Sequence, residues 1–174
     1  MSTFDFTIKE LLPWVQQPDV FVEKVNGWVL VGPPPPDAKD QWAFRTGSVQ
    51  TVQDIETGTV MLIEDNYEVR VLTKRQPGPF QDTILIGRAE TNDVVIPDGS
   101  ISKLHVRVRF STGTLADANS SNGTTYDEKP LQPDEVVALK DGSYLIMGSR
   151  HFYLMSAEKL CRLLRSSSMG MPTA

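Results

Sequence analysis

Four short runs of this 174-residue chain hold the side chains best equipped for chemistry. In order they are Gly87-Arg88, Ser102-Lys103-Leu104-His105, the stretch Asp117-Ala118-Asn119-Ser120-Ser121-Asn122-Gly123-Thr124, and Leu139-Lys140-Asp141-Gly142 with Met147-Gly148. Ser102 lies three residues before His105, which invites a nucleophile-base reading. No acidic orienter or oxyanion hole can be named to complete it, so His105 is read as a structural brace. Residues 117–128 imitate a calcium loop, with acid or amide at the first and third places and Glu128 at the twelfth. The glycine that such a loop needs sixth is one place late, because Asn122 stands there and Gly123 follows, so calcium is rejected. No G-x-x-x-x-G-K-[ST] run cradles a nucleotide. Two histidines and the single Cys161 leave too few ligands for zinc, and no metal or cofactor is expected. A local site for one anion stays open.

The elements that must position these runs read as follows. Thr7 to Glu10 has the form of a capping box, with Ile8, Leu11, Leu12 and Val15 at helical spacing and Pro13 forcing a kink or restart. Val20–Val25, Asn26-Gly27 and Trp28–Val31 read as a hairpin, ended by Gly32 and the stiff Pro33–Pro36 connector. From Gln41 onward the texture is strands. Val60–Ile63 and Tyr67–Leu72 flank a second hairpin signal at Asp65-Asn66. Short strands are predicted at 84–86, 94–96, 106–108, 136–139, 144–146 and 152–154, with turn residues between them. Many short strands at close spacing argue a β-sandwich or barrel. A helix is predicted over 156–165, capped by Ser156, with Ala157, Leu160, Cys161 and Leu164 on one face. Cys161 is then a packing residue. The expected organisation is a mixed α/β N-terminal extension over 1–66, a mostly β two-sheet sandwich over 67–155, a short C-terminal helix over 156–165 and a loose tail over 166–174. Trp14, Trp28 and Trp42 are read as packing the extension onto the sandwich.

The first three runs, with Asn92-Asp93 between the first and second, resemble the forkhead-associated (FHA) domain family, and the match runs from about Tyr67 to Met155. The family pattern is a glycine-arginine pair, an asparagine-aspartate before an aliphatic strand, serine-x-x-histidine, and aspartate-x-x-serine-x-asparagine-glycine-threonine. This chain has Gly87-Arg88, Asn92-Asp93-Val94-Val95-Ile96, Ser102-x-x-His105 and Asp117-x-x-Ser120-Ser121-Asn122-Gly123-Thr124. The resemblance implies a non-enzymatic module whose loops, at one end of the sandwich, bind phosphothreonine peptides. Arg88, Ser102, Lys103 and Ser121 would hold the phosphate, and Asn122 would clamp the peptide main chain. Ser100, and the loop near Lys129-Pro130, would set peptide preference, while Gly87, His105, Asp117 and Gly123 support the loops. The residue types suit the task. A phosphomonoester carries about −1.5 to −2 charges near neutral pH and three acceptor oxygens, and an arginine fork matches them. The family often has threonine where Ser121 stands and arginine where Lys103 stands; the hydroxyl and the charge are kept, the fork is not.

Plainer readings compete at several positions. Arg88 has Asp93 and Glu90 nearby in sequence as surface ion-pair partners. Ser102 can stabilise a turn, and Asn122-Gly123 is also a hairpin signal. Arg107 and Arg109 read as the wet face of a strand. At the level of the whole chain the rival is a phosphate-independent interaction or assembly protein that uses the N-terminal extension. A weaker idea is docking of a phosphorylated Thr51, which has Asp54 three residues on.

Charge separates the classes further. The formal net charge is −5. Residues 1–75 hold 7 basic and 11 acidic side chains, and residues 76–174 hold 10 and 11. An acidic chain is a poor coat for nucleic acid. No apolar run approaches the ~18–20 residues that span a bilayer, so a membrane is not an expected partner. The start has neither a basic nor an apolar signal region, and one cysteine suits a reducing compartment, so a cytoplasmic location is expected. The expected partner is a phosphothreonine-containing protein, a Ser/Thr protein kinase or its substrate among them. The oligomeric state is left open.

Overall fold

The computed structural model describes residues 4–35, 49–54, 56, 58 and 60–167. Expectations about Pro36, Gln41, Trp42 and residues 168–174 lie outside them. The strands are β1 Phe6–Thr7, β2 Trp28–Gly32, β3 Val49–Gln53, β4 Val60–Glu64, β5 Glu68–Val71, β6 Thr83–Gly87, β7 Val94–Val95, β8 Val106–Arg109, β9 Thr114–Asp117, β10 Thr124–Tyr126, β11 Lys129–Pro130, β12 Val136–Ala138, β13 Ser143–Met147 and β14 Arg150–Ser156. The helices are α1 Ile8–Leu11, α2 Pro18–Val25 and α3 Ala157–Ser166.

A seven-stranded sheet in the order β1-β5-β2-β14-β13-β10-β11 faces a five-stranded sheet in the order β12-β9-β8-β6-β7. The mostly β two-sheet sandwich is therefore present. Strands β2 and β5 of the larger sheet are buried on both faces, and period-two alternation divides the side chains between two cores. Val29 and Val31 of β2 join a core with the helices, while Leu30 between them joins the core between the sheets. In β14, Met155 goes to the helices and Phe152 and Leu154 to the sandwich. A strand buried on both sides reads as an unbroken apolar run, as Trp28-Val29-Leu30-Val31 does.

The front of the chain is woven into this sheet. Strand β2 lies between β14 and β5, with Leu30 opposite Leu154 on one side and Arg70 on the other. Residues 28–32 are part of the sandwich and not of an appendage to it. The hairpin expected over 20–31 is corrected: 18–25 is a helix. Pro18 sits in its first turn, Asp19 and Lys24 suit its dipole, and Phe21 and Val25 are buried one turn apart. The valines gave the segment its strand-like texture, but packing of one apolar face outweighs that propensity. Asn26 (φ 42°) and Gly27 (φ 101°) both take left-handed backbone and end the helix instead of turning a hairpin.

The Asp65-Asn66 hairpin is corrected as well. The turn exists, with Tyr67 N–H donating to Glu64 O at 3.1 Å. Its two strands part, however. β4 pairs with β3 in a separate two-stranded ribbon, and β5 pairs with β2 and β1. The start of α1 sits at the turn, with Ile8 N–H on Tyr67 O and Lys9 N–H on Asp65 O. Both halves of the capping box at Thr7 and Glu10 are present, and a single 3-10 turn at Leu12–Trp14 takes up Pro13. Ser156 caps α3, whose buried face includes Leu160, Cys161 and Leu164. Strands β9, β10 and β11 add to those predicted. Lys129-Pro130 is β11, reached by a turn at the end of β10 remote from Asn122-Gly123, so it does not belong with the loops discussed next. Trp14 packs partly buried on the helical core under Lys24, and Trp28 on the sandwich core.

Candidate functional site

Three loops meet at one end of the sandwich: residues 88–93 after β6, 96–105 between β7 and β8, and 118–123 between β9 and β10. The first two lock through the backbone. Arg88 N–H donates to Ser102 O at 2.9 Å, Ala89 N–H to Lys103 O at 3.1 Å, and His105 N–H to Ile86 O at 2.8 Å. Gly87 is where they cross. A Cβ there would come within 2.4 Å of Lys103 O and 2.9 Å of Leu104 Cα, so only glycine admits this approach. Asn92 is buried and braces the same crossing, donating through Nδ2 to Ala89 O at 2.9 Å and Lys103 O at 2.5 Å.

The second and third loops are joined by His105, and Asp117 braces the third. His105 is fully buried. Its Nδ1 accepts from Ser102 N–H at 3.0 Å, which leaves Nε2 to donate to Gly123 O at 3.0 Å. Burial holds the imidazole below its ordinary pKa, against the opposing pull of the Gly123 bond and the Asp117 charge. A neutral ring with both nitrogens bonded to backbone groups ties Ser102 to Gly123. Asp117 accepts from the Ser120 hydroxyl and N–H and from the Thr124 hydroxyl, at 2.5, 2.9 and 2.6 Å. Burial would raise its carboxyl, and these donors together with His105 hold it low. Ser121 N–H then donates to Ser102 Oγ at 2.9 Å, placing the two hydroxyl residues side by side.

Arg88, Lys103, Ser121 and Asn122 are all exposed at this apex, and Ser102 is half-buried. Arg88 Nε donates to Ile101 O at 3.1 Å, which orients its fork. Among the described residues no carboxylate pairs with Arg88 or Lys103. The expected competitor Asp93 is spoken for. It is buried and accepts from Leu85, Gln76 and Arg75 N–H groups and from Lys74 Nζ, all at 2.8–3.0 Å. Burial would raise Asp93, and those donors keep it low. Arg88 and Lys103, without carboxylate partners among the described residues, together with Ser102 and Ser121 supply the donor types that suit a tetrahedral anion. Asn122 donates through Nδ2 to Ser100 O at 2.8 Å, so part of the intended clamp is already engaged within the protein. By contrast Arg107 and Arg109, on the outer sheet face, pair with Asp134 and Asp82.

Several supporting residues had no role assigned from the sequence. Asn92 stands in the motif without one, and Asp93 is read there only as an ion-pair partner for Arg88. Gly148 stands in the fourth run with no role of its own, yet a Cβ there would meet Ser100 O at 2.3 Å. Asp98, Ser149 and Arg150 gave no local signal. Among the described residues no cluster of His, Cys, Asp or Glu is arranged for a metal ion, and no helix is long and apolar enough to cross a membrane.

Residues 84–148 match the family model described as the FHA domain. An FHA domain-containing protein of Arabidopsis thaliana is 36% identical over 69 residues, which is 38% of this chain and 18% of that protein. The FHA domain-containing protein FhaA of Mycobacterium tuberculosis is 35% identical over 66 residues, 37% of this chain and 12% of that protein. The match thus spans under a fifth of either curated relative. Among solved structures, one from a study of phosphothreonine-dependent FHA domain interactions aligns with 62% of this chain and 96% of its own, at 25% identity and a TM-score of 0.40. The FhaA FHA domain complexed with the intracellular domain of Rv3910 aligns with 62% and 99%, at 26% identity and a TM-score of 0.39. The segment 84–148, which carries all three loops with Arg88 and Lys103, is the part of the chain that is similar to FHA domains.

Proposed function

We propose that this chain binds phosphothreonine-containing protein segments through its apex loops and acts as an adaptor in Ser/Thr kinase signalling. The observation that carries the reading is the pair of exposed cations, Arg88 and Lys103, with no carboxylate partner among the described residues, on the loops where Ser121 meets Ser102. Arg88 and Lys103 neutralise the phosphate, Ser102 and Ser121 donate to its oxygens, and Asn122 holds the peptide main chain through the carbonyl left free by its bond to Ser100. Preference for threonine over serine comes from burying the extra methyl, a discrimination of about 1–3 kcal/mol. The role is binding without catalysis, since the one histidine near Ser102 has both nitrogens engaged. Titration with matched Thr, phosphoserine and phosphothreonine peptides tests it. Phosphothreonine should bind best and unphosphorylated threonine hardly at all. Arg88→Ala should remove the phosphate-dependent part, because each bond to a charged group contributes about 1.5–3 kcal/mol. Equal binding of all three peptides sinks the reading.

A phosphate-independent contact has one supporting observation. On the ribbon, Val60 and Leu62 are 57% and 51% exposed. Leu62→Glu should reduce apparent size in solution if this patch joins copies or partners; an unchanged size removes the idea. Docking of a phosphorylated Thr51 finds less support. Thr51 is paired with Leu62 in the ribbon, and Asp54 is buried in an ion pair with Lys159 at 2.6 Å.

A further inference from the structure

The turn between β13 and β14 closes the apex from the side of Ser100 and Gly123. Arg150, at the start of β14, is 4% exposed. Its Nη1 lies 3.4 Å from Asp98 Oδ2, and its Nη2 donates to Pro33 O at 2.5 Å. The guanidinium stands 5.6 Å from the Phe152 ring centre. A buried cation is costly unless its partners are well placed. Here one fork spans two segments that lie 52 and 117 residues away in sequence.

From Asp98 the contacts run on to the peptide clamp. Asp98 Oδ1 accepts from Ser100 N–H at 2.8 Å and from its hydroxyl at 2.7 Å. Ser100 Oγ accepts from Ser149 N–H at 3.0 Å and lies 2.9 Å from the Ser149 hydroxyl. Ser100 O receives the Asn122 amide. Gly148, with left-handed backbone at φ 58°, donates its N–H to Gly123 O at 3.2 Å and lies against Ser100 O where no side chain fits.

We propose that Arg150 is a positioning residue for peptide recognition, holding the Asp98–Ser100 loop so that Asn122 is presented to the peptide, and tying that loop to the chain at Pro33. The proposal rests on reading the apex as a phosphopeptide site. It assigns Arg88 and Ser102 to phosphate and the Arg150–Asp98–Ser100 relay to the peptide around it. Loss of the relay therefore weakens the clamp and leaves the demand for phosphate intact.

The test uses the full chain with Arg150→Met, Arg150→Lys and Asp98→Asn. Each is titrated with a phosphothreonine peptide, its unphosphorylated twin, and a set of phosphothreonine peptides varied at the flanking positions. Arg150→Met should lower phosphothreonine affinity roughly three- to thirtyfold, the range of coupling energies carried by such networks. The ratio of phosphothreonine to threonine binding should hold, and discrimination among flanking sequences should flatten. Arg150→Lys should recover part of the affinity, and Asp98→Asn added to Arg150→Met should cost little more. In parallel, the side-chain amide resonance of Asn122 should shift in each single variant. If Arg150→Met does not fold, the Lys and Asn variants carry the same readouts. Unchanged affinity, unchanged flanking preference and an unmoved Asn122 amide overturn the proposal. A parent chain that ignores phosphate overturns the functional reading instead, while a shifted Asn122 amide still supports the relay.

Discussion

The seven-stranded sheet separates two regions built on opposite principles. On its outer side, α1, α2 and α3 bury a core that includes Phe21, Val25, Met155, Leu160 and Leu164. At the loop apex the buried polar residues include Asn92, Asp93, His105 and Asp117, each held by hydrogen bonds to backbone or hydroxyl groups. Apolar burial is non-directional and tolerates adjustment, whereas a polar brace fixes a loop in one place. The helical side should therefore answer to stability, and the apex to recognition.

Lys159→Ala gives the largest effect on the helical side. Its ammonium is buried against Asp54, and removing one partner of a buried pair costs about 3–5 kcal/mol. Denaturant unfolding should show that loss while the folded protein keeps its phosphopeptide Kd; a weakened Kd would break the division. Gly87→Ala addresses the apex. The new methyl would push on Lys103 O and Leu104 Cα, so stability should drop by about 1–3 kcal/mol. Phosphopeptide affinity should fall further than that stability loss accounts for, because Arg88 and Ser102 are moved apart. Wild-type affinity in this variant would show that the close approach does not position the site.

His105 makes the apex sensitive to pH. Its pKa is lowered in the folded protein, so the brace contributes fully above the ordinary value of 6.5. As pH falls below that value the unfolded chain takes up a proton that the folded one refuses, and stability declines until the folded pKa is reached. Melting of the free protein, without peptide, should show the decline, and His105→Gln should remove it. Free protein is needed because the phosphate itself titrates near pH 6. The smallest effect is Thr7→Ala. It removes the N-cap of α1 at a cost of about 0.5–2 kcal/mol and should leave peptide binding untouched.

Local signals carried well from sequence to structure. The capping box at Thr7 and Glu10, the Ser156 cap and the amphipathic face of α3 each lie within one or two helical turns. The apex motifs were legible for a similar reason: Gly87, Ser102, His105 and Asp117 flank strands whose pairing brings them together. What stayed hidden depends on distant partners. Valines at 20, 22 and 25 look like a strand until Phe21 and Val25 find α3. Trp28–Gly32 looks like half of a hairpin until β14 and β5 enclose it. Arg150 and Asp98 are ordinary surface types, one opening a strand and one in a turn, and only the closure of the sandwich buries Arg150 against Asp98.

The measurement that bears most directly on the account is a crystal structure of the chain with a phosphothreonine peptide. The account places the phosphate oxygens on Arg88, Ser102 and Ser121, with Lys103 beside them and the peptide main chain on Asn122. A phosphate bound elsewhere, or a peptide that leaves Arg88 and Ser102 untouched, contradicts it.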